Sequence, residues 1–440
     1  MSMATCLYIT LGCAKNEVDT DRMRALLQRA GIAECYDIES ADIAIVNTCS
    51  FLTSATQESI EATLELAEAA RSGVRTLPIV MCGCVPSRYG AEIEIELPEV
   101  AAFVRADEED GIVEVVKGIL NLKDAEPSVG DGRALRTIEG ASAYVKISDG
   151  CDRFCTFCAI PNIRGRYWSR TADQICDEVR LLMDGGVREV VLIGQDTGVW
   201  GSDLPGTCDL ASLLEQVAEV VRPYGGWVRV LYLQPEGMTQ RLIEVLRDTP
   251  EVLPYIDIPI QHCNARILKR MGRRGSANEL RELFGRLRDQ IPNMVLRSTG
   301  MVGFPGETEE EADELVSFVE EIGFDYTSVY AYSRDEGTAA ARLDGQIDEE
   351  TKTERAQRLI DVAEQLGFAA TASHVGEEAD VIIDGVEETE DGVELIGHTW
   401  FQAPDSDGAV HLESGEASVG DIVRCRLVDS FCYELVGEVI

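Results

Sequence analysis

The chain has 440 residues, 45% hydrophobic and 27% charged, with 39 Lys and Arg against 79 Asp and Glu for a formal net charge of −40. That is the composition of a globular protein of about three domains; it holds no run of eighteen apolar residues to span a bilayer, and its start, MSMATCLYITLGC, lacks the basic and long apolar segments of an export signal. Fourteen cysteines in a chain expected in the cytoplasm point to metal or catalytic work rather than disulfides, and the acidity disfavours phosphate backbones and favours basic partners, with solubility or salt adaptation as the plainer reading.

The first 120 residues read as repeated strand–helix units. CLYITL is a strand ending at Gly12-Cys13, followed by a helix with Met23, Leu26, Leu27 and Ala30 on one face and Gly31 at its close. ADIAIVNT is a second strand ending at Cys49, residues Thr53 to Arg71 are helical, and LPIVMC is a third strand ending at Gly83-Cys84. Cys13, Cys49 and Cys84 thus stand 36 and 35 residues apart, one unit each. Carboxyl ends of parallel strands share one sheet edge, where ligands bind, so the three converge. Taken singly, each is equally a packed core thiol. Cys82 would face the opposite way in its strand.

KDAEPSVGDGR is polar and turn-forming, and we expect a linker over 123–136 between a first domain (1–122) and a second (137–366). The second region has six strands, AYVKIS, EVVLIG, WVRVLYL, YIDIPI, MVLRSTGMVG and DYTSVYAYS. Helices lie between them, and three open on capping-box pairs: Thr171 with Gln174, Ser276 with Glu279, Thr308 with Glu311. Six such units suit a partial parallel barrel with its chemistry at the strands' carboxyl ends. From 367 to 440, ADVIID, GVELIG, GAVHLE, DIVRCRLVD and CYELVGEVI predict a small antiparallel barrel. The expected class is α/β: a Rossmann-like parallel domain, a partial (β/α) barrel and a terminal β-barrel.

The strongest motif is SDGCDRFCTFC, just after the first strand of the second region. Cys151, Cys155 and Cys158 on one loop can hold three irons of a four-iron cluster and leave the fourth open. The alternative is zinc, which in a structural site takes four closed ligands; no obvious fourth follows nearby. This triplet, with Phe157 before its last cysteine, resembles the signature of radical S-adenosylmethionine enzymes. The resemblance implies that the open iron chelates the methionine end of S-adenosylmethionine and that reductive cleavage yields a 5′-deoxyadenosyl radical. LGCAKNEVDTDRM, NTCSF and GCVPSRY resemble the N-terminal domain of methylthiotransferases, which implies a second 4Fe-4S cluster on Cys13, Cys49 and Cys84, and the terminal barrel resembles a TRAM domain. Resemblance to radical-enzyme loops also implies S-adenosylmethionine contacts from Gln195, Asp196, Gln261, Gly303, Glu307 and Phe157. The VGFPGE segment is equally an ordinary turn, and His262 a satisfied polar residue at a strand end.

Methylthiotransferases act either on a tRNA adenosine or on an aspartate β-carbon of the twelfth small-subunit ribosomal protein. From His374 onward the chain has seventeen Asp and Glu against Arg424 and Arg426, a poor surface for tRNA and a suitable one for a basic ribosomal protein. LGCAKNEVD, GQDTGVWGSDL, LPYIDIPIQH and the run from Tyr332 to Thr338 resemble the ribosomal-protein class, although Cys263 and the very acidic barrel depart from its pattern. Arg164, Arg166 and Arg170, with Arg270, Arg273 and Arg274 beside Arg266 and Lys269, form the main basic clusters and are candidates to receive a substrate carboxylate. The other alternative is a non-catalytic iron–sulfur or zinc protein that binds ribosomes. An electron donor such as flavodoxin or ferredoxin is an expected partner.

Overall fold

A computed structural model describes residues 3–72, 77–122, 136–138, 140–389, 392–412 and 417–440. The expected linker over 123–136 lies outside these residues apart from Arg136. No helix among the described residues is long and apolar enough to cross a membrane.

Five parallel strands form the N-terminal sheet: β1 (Ala4–Thr10), β2 (Ile32–Cys35), β3 (Ile43–Thr48), β4 (Ile79–Gly83) and β5 (Ala102–Arg105), in the order β2-β1-β3-β4-β5. The sequence marks β1, β3 and β4. It does not mark β2 and β5, edge strands of four residues, too short to carry a period. The helices are α1 (Ala14–Arg29), α2 (Thr53–Ser72), α3 (Cys84–Tyr89), α4 (Ala91–Glu96) and α5 (Ile112–Leu120). α1 is buried on two sides. Met23, Leu26 and Leu27 pack with Ile43, Ile45 and Val80 of the sheet, while Ala14 and Val18 pack with Leu231 and Tyr255 of the next region.

That region begins with β6 (Ser142–Lys146), the short pair β7 (Ser148–Asp149) and β8 (Trp168–Ser169), and the one-turn helix α6 (Ile160–Ile163). It continues with β9 (Glu189–Ile193), β10 (Trp227–Val230), β11 (Tyr255–Gln261), β12 (Val295–Val302) and β13 (Tyr326–Ala331). Apart from the short pair, the six strands form two parallel three-stranded pieces, β10-β9-β6 and β11-β12-β13. Leu233 N donates to Asp257 O at 2.9 Å and joins the pieces into one partial barrel. Along β9, Val190 and Leu192 face the helix layer, while Val191 and Ile193 face inward toward α1 and the terminal barrel. The boxes at Thr171 and Thr308 are reciprocal. At Ser276 the cap forms, but Glu279 bonds the serine hydroxyl.

The terminal strands β14 (Glu378–Thr389), β15 (Gly392–His398), β16 (Val410–Leu412), β17 (Ile422–Phe431) and β18 (Glu434–Val439) close in the order β14-β15-β16-β18-β17. Four neighbouring pairs are antiparallel, but β16 and β18 run parallel. The expected small antiparallel barrel is present, with one parallel seam that follows from its strand number: alternating directions cannot close around an odd number of strands. The expected start of this region at 367 falls inside a helix, Glu349–Ser373. Gly367 reads as a break but is there for packing, since a Cβ on it would sit 2.4 Å from the Tyr433 ring.

Candidate active site

The first triad is built by turns at the ends of β1, β3 and β4. Cys13 caps α1, Cys49 follows β3 and Cys84 opens α3. Gly12 adopts φ +107°, and a Cβ there would fall 2.7 Å from Cys49 Cβ and 3.1 Å from its Sγ, so only glycine lets the Cys13 turn close on Cys49. Asn16 Nδ2 ties the same two turns, donating to Leu11 O at 2.8 Å and Thr48 O at 2.9 Å. Cys84 Sγ lies 3.8 Å from Asn16 Oδ1. Cys82 is instead buried with Cys6 and Val104 in the core beneath the sheet.

The second triad lies on the loop after β7. Gly150 at φ +72° leaves no room for a Cβ, which would meet Arg166 O at 2.2 Å. Phe154 is also left-handed, at φ 50°. The loop is pinned where Thr156 N donates to Met271 O and Ala340 N donates to Thr156 O. Cys158 N donates to Cys155 O at 3.0 Å, and Ile160 N points at Cys158 Sγ at 3.4 Å.

α6 brings the two triads together. Cys84 packs on Ala159 and Ile163, directly after Cys158. Arg164 Nη2 lies 3.7 Å from Cys84 Sγ and 2.7 Å from Asn16 Oδ1, while its Nη1 lies 2.5 Å from Asp19 and 3.5 Å from Asp149. Lys146 Nζ completes this buried network, 2.5 Å from Asp19 and 2.7 Å from Asp149. Burial works to raise Asp149, but Lys146 and Arg164 outweigh it and hold the carboxyl at about 2.

The donor set fits iron–sulfur ligation. Burial pushes the Cys84 and Cys158 thiols up to about 12 and raises Cys49, Cys151 and Cys155, so these thiols become ligands when a cation compensates their charge. Among the described residues no three His, Cys, Asp or Glu side chains stand close enough to hold a single metal ion. A four-iron cube takes its thiolates from separate corners and so holds them farther apart than one tetrahedral ion does. Beside the second triad, two buried acceptors have no hydrogen-bond partner among the described residues: Gln195 Oε1 and Asp196 Oδ1. Their other atoms are fixed, Gln195 Nε2 on Asp149 at 2.9 Å and Asp196 Oδ2 on Arg153 at 2.5 Å.

The remaining expected residues divide. Gln261 ends β11 in a left-handed conformation, φ 66°, on the same rim. Phe157 packs with Ile267, Met271, Phe304 and Tyr332. Arg273 is near Cys155 and donates to Gln234 Oε1 and Pro259 O. Glu307 faces protein rather than a cleft: Oε2 takes Gly303 N at 2.8 Å and Arg355 at 2.7 Å, and Oε1 lies 3.3 Å from His262. Gly303 itself abuts Lys352, 2.5 Å from where a Cβ would stand. Arg164 is buried in its ion network, and Arg170 is tied to Glu178 at 2.6 Å and to Lys146 O. Arg270 braces the turn at Pro305. Those three guanidiniums are turned to protein, not to an open patch; Arg166, paired with Asp152, and Arg274 are exposed.

Two further residues face this site. Lys15 is buried with its Nζ 3.0 Å from the centre of the Tyr232 ring, and burial lowers it to about 8. Tyr232, just past β10, is left-handed at φ 63°. A lysine in the first turn of a helix opposes the helix dipole, which is the sequence signal that marks Lys15. A cleft of about 760 Å³ between α1, β6 and the terminal barrel is lined by none of these cysteines.

The model of the Radical SAM superfamily matches residues 145–319, that of Uncharacterized protein family UPF0004 residues 5–105, and that of the TRAM domain residues 375–440. Membership in the superfamily implies S-adenosylmethionine and a 4Fe-4S cluster. Among solved structures, the chain is similar in fold to the radical S-adenosylmethionine methyltransferase TsrM from Kitasatospora setae (TM-score 0.58, 14% identity, covering 75% of this chain and 72% of that one). Among curated proteins, it is 41% identical to the ribosomal protein uS12 methylthiotransferase RimO of Geobacter sulfurreducens, covering 98% of each chain. It is 39% identical to RimO of Trichlorobacter lovleyi over 98% of this chain and 97% of that one. With that likeness running from the first cysteine turn through the terminal barrel, the chain belongs to the RimO family of radical S-adenosylmethionine methylthiotransferases.

Proposed function

We propose that this enzyme methylthiolates the β-carbon of an aspartate in ribosomal protein uS12, with one 4Fe-4S cluster on Cys151, Cys155 and Cys158 and a second on Cys13, Cys49 and Cys84. The observation that carries the two-cluster reading is the contact across α6, where Cys84 packs on the residues that follow Cys158. When bound, S-adenosylmethionine and the first cluster supply a carbon radical able to take hydrogen from an unactivated C–H bond, and the second cluster supplies an iron open to sulfur.

The chain's own residues do the rest. Arg164 and Lys146 lock α1 to the second region through Asp19 and Asp149, which fixes the separation of the triads. Gln195 Oε1 and Asp196 Oδ1 offer acceptors to the amino and hydroxyl groups of S-adenosylmethionine, and Gln261 and Phe157 border the same space. Arg153 and Arg273 place positive charge beside Cys155, which favours an anionic cluster. The terminal barrel docks the substrate. Its two arginines are already paired, Arg424 with Asp380 and Arg426 with Glu378, leaving an acidic face for a basic ribosomal protein. The first 122 residues, the partial barrel with its closing helix to Ser373 and the terminal barrel over 375–440 act as separate functional parts in this reading, in the cytoplasm, with flavodoxin or ferredoxin supplying electrons.

The test offers the anaerobically reconstituted enzyme both uS12 and an anticodon stem-loop, with S-adenosylmethionine and a reductant. The expected result is a methylthio mass gain on the uS12 aspartate alone. Gain on the stem-loop alone would overturn the substrate assignment.

A further inference from the structure

We infer that Lys15, in the first turn of α1 beside the first triad, receives the carboxylate of the target aspartate, a step that rests on the functional reading above. The structure's two most buried lysines contrast. Lys352, 2% exposed, donates to Glu349 at 2.7 Å. Lys15, 8% exposed, has no side-chain hydrogen bond or ion pair with any described residue, and its ammonium rests on the Tyr232 ring. A buried ammonium without an anion is costly, and an aromatic face returns only part of its hydration. The partly buried Lys146, by contrast, holds both Asp19 and Asp149.

The surroundings leave Lys15 available. Of the carboxylates that act on it, Asp257 accepts from Tyr232 N at 3.0 Å and lies 3.9 Å from Arg297, and Asp149 is held by Lys146 and Arg164, so both are committed to the wall. Tyr232 is held in its left-handed conformation by its bond to Asp257 and by Thr197 N donating to its carbonyl at 3.2 Å. Strain of this kind is kept where the surroundings enforce it, and it clusters at binding sites. Lys15 also stands two residues from Cys13 and next to the Arg164–Asp149 link between the triads. A carboxylate on Lys15 brings its own β-carbon within one bond of the anchored group, which is the geometry required for chemistry next to a carboxylate. An asparagine of the same shape lacks the charge and gains far less there.

The test uses the full, reconstituted chain and a fluorescein-labelled peptide spanning the uS12 target, read by fluorescence anisotropy, beside the same peptide with Asn for Asp. Lys15→Met is expected to weaken the Asp peptide roughly ten- to a hundred-fold, the range for a hydrogen bond to a charged group, to change Asn-peptide binding little, and to leave the iron content intact. Equal loss of both peptides, or no loss of the Asp peptide, would overturn the assignment. If Lys15→Met does not fold, the unaltered enzyme decides: it should prefer Asp to Asn by the same factor, and equal affinity would overturn the inference. An unaltered enzyme that binds neither peptide and leaves uS12 unmodified would overturn the functional reading, and the assignment with it.

Discussion

Arg164 shows how a residue legible in type can be misread in place. In the sequence it belongs to a basic run after the cysteine loop, a natural carboxylate receiver. In the structure its guanidinium is the buried tie between Cys84, Asn16, Asp19 and Asp149. Asp19 lies 145 positions away in the chain, so spacing could not reveal that pairing. The positions of the six cysteines, three at strand ends and three on one loop, were legible because those signals are local. Lys15 and Tyr232 were not, because their meeting depends on α1 packing against the end of β10. Arg164→Met leaves two buried carboxylates sharing the one cation Lys146, and is expected to cost about 3–5 kcal/mol, measured by guanidinium chloride unfolding of the anaerobic protein. Arg164→Lys should recover only part, since an ammonium lacks the fork that reaches Asp19 and Asn16 together. A cost within about 0.5 kcal/mol, ordinary for a surface site, would contradict the buried-tie role.

At the level of elements, alternation and turn residues marked every long strand, while the four-residue edges β2 and β5 carried no period. Topology inside the last barrel was beyond the pattern, because strand direction around a closed ring is decided by parity and connection. How that barrel holds to the second region was also hidden. His398 at the end of β15 is buried between Asp384, 2.5 Å from Nδ1, and Glu189, 3.0 Å from Nε2, with Arg229 on the other side of Glu189 at 2.6 Å. Burial lowers this imidazole, but the two carboxylates outweigh burial and raise it to about 9. Its folded pKa exceeds its unfolded one, so its contribution is complete below about pH 6.5 and is lost as pH rises through about 9. The contribution is on the order of 3 kcal/mol. Thermal unfolding should show the native protein losing stability between those pH values and His398→Gln losing much less over the same window. Parallel pH profiles would remove His398 as the interdomain lock.

For the whole molecule, the net charge of −40 fits two explanations, and salt separates them. Docking by an acidic barrel on a basic protein is screened within about a Debye length, near 10 Å at 0.1 M salt. Affinity for uS12 should therefore fall as salt rises. Glu387 and Asp429 are exposed on β14 and β17, and reversing both to Lys should weaken binding and flatten its salt dependence without changing iron content. A salt slope untouched by the reversal would assign the barrel's acidity to solubility alone.

The account stands or falls on two clusters meeting across α6, and cluster stoichiometry tests it most directly. Iron and sulfide would be counted after anaerobic reconstitution of the intact chain and of the variant with Cys151, Cys155 and Cys158 all replaced by Ala. The intact chain should hold about eight irons and eight sulfides, and the variant about four of each on Cys13, Cys49 and Cys84. An intact chain that saturates at about four, with none left in the variant, would contradict it.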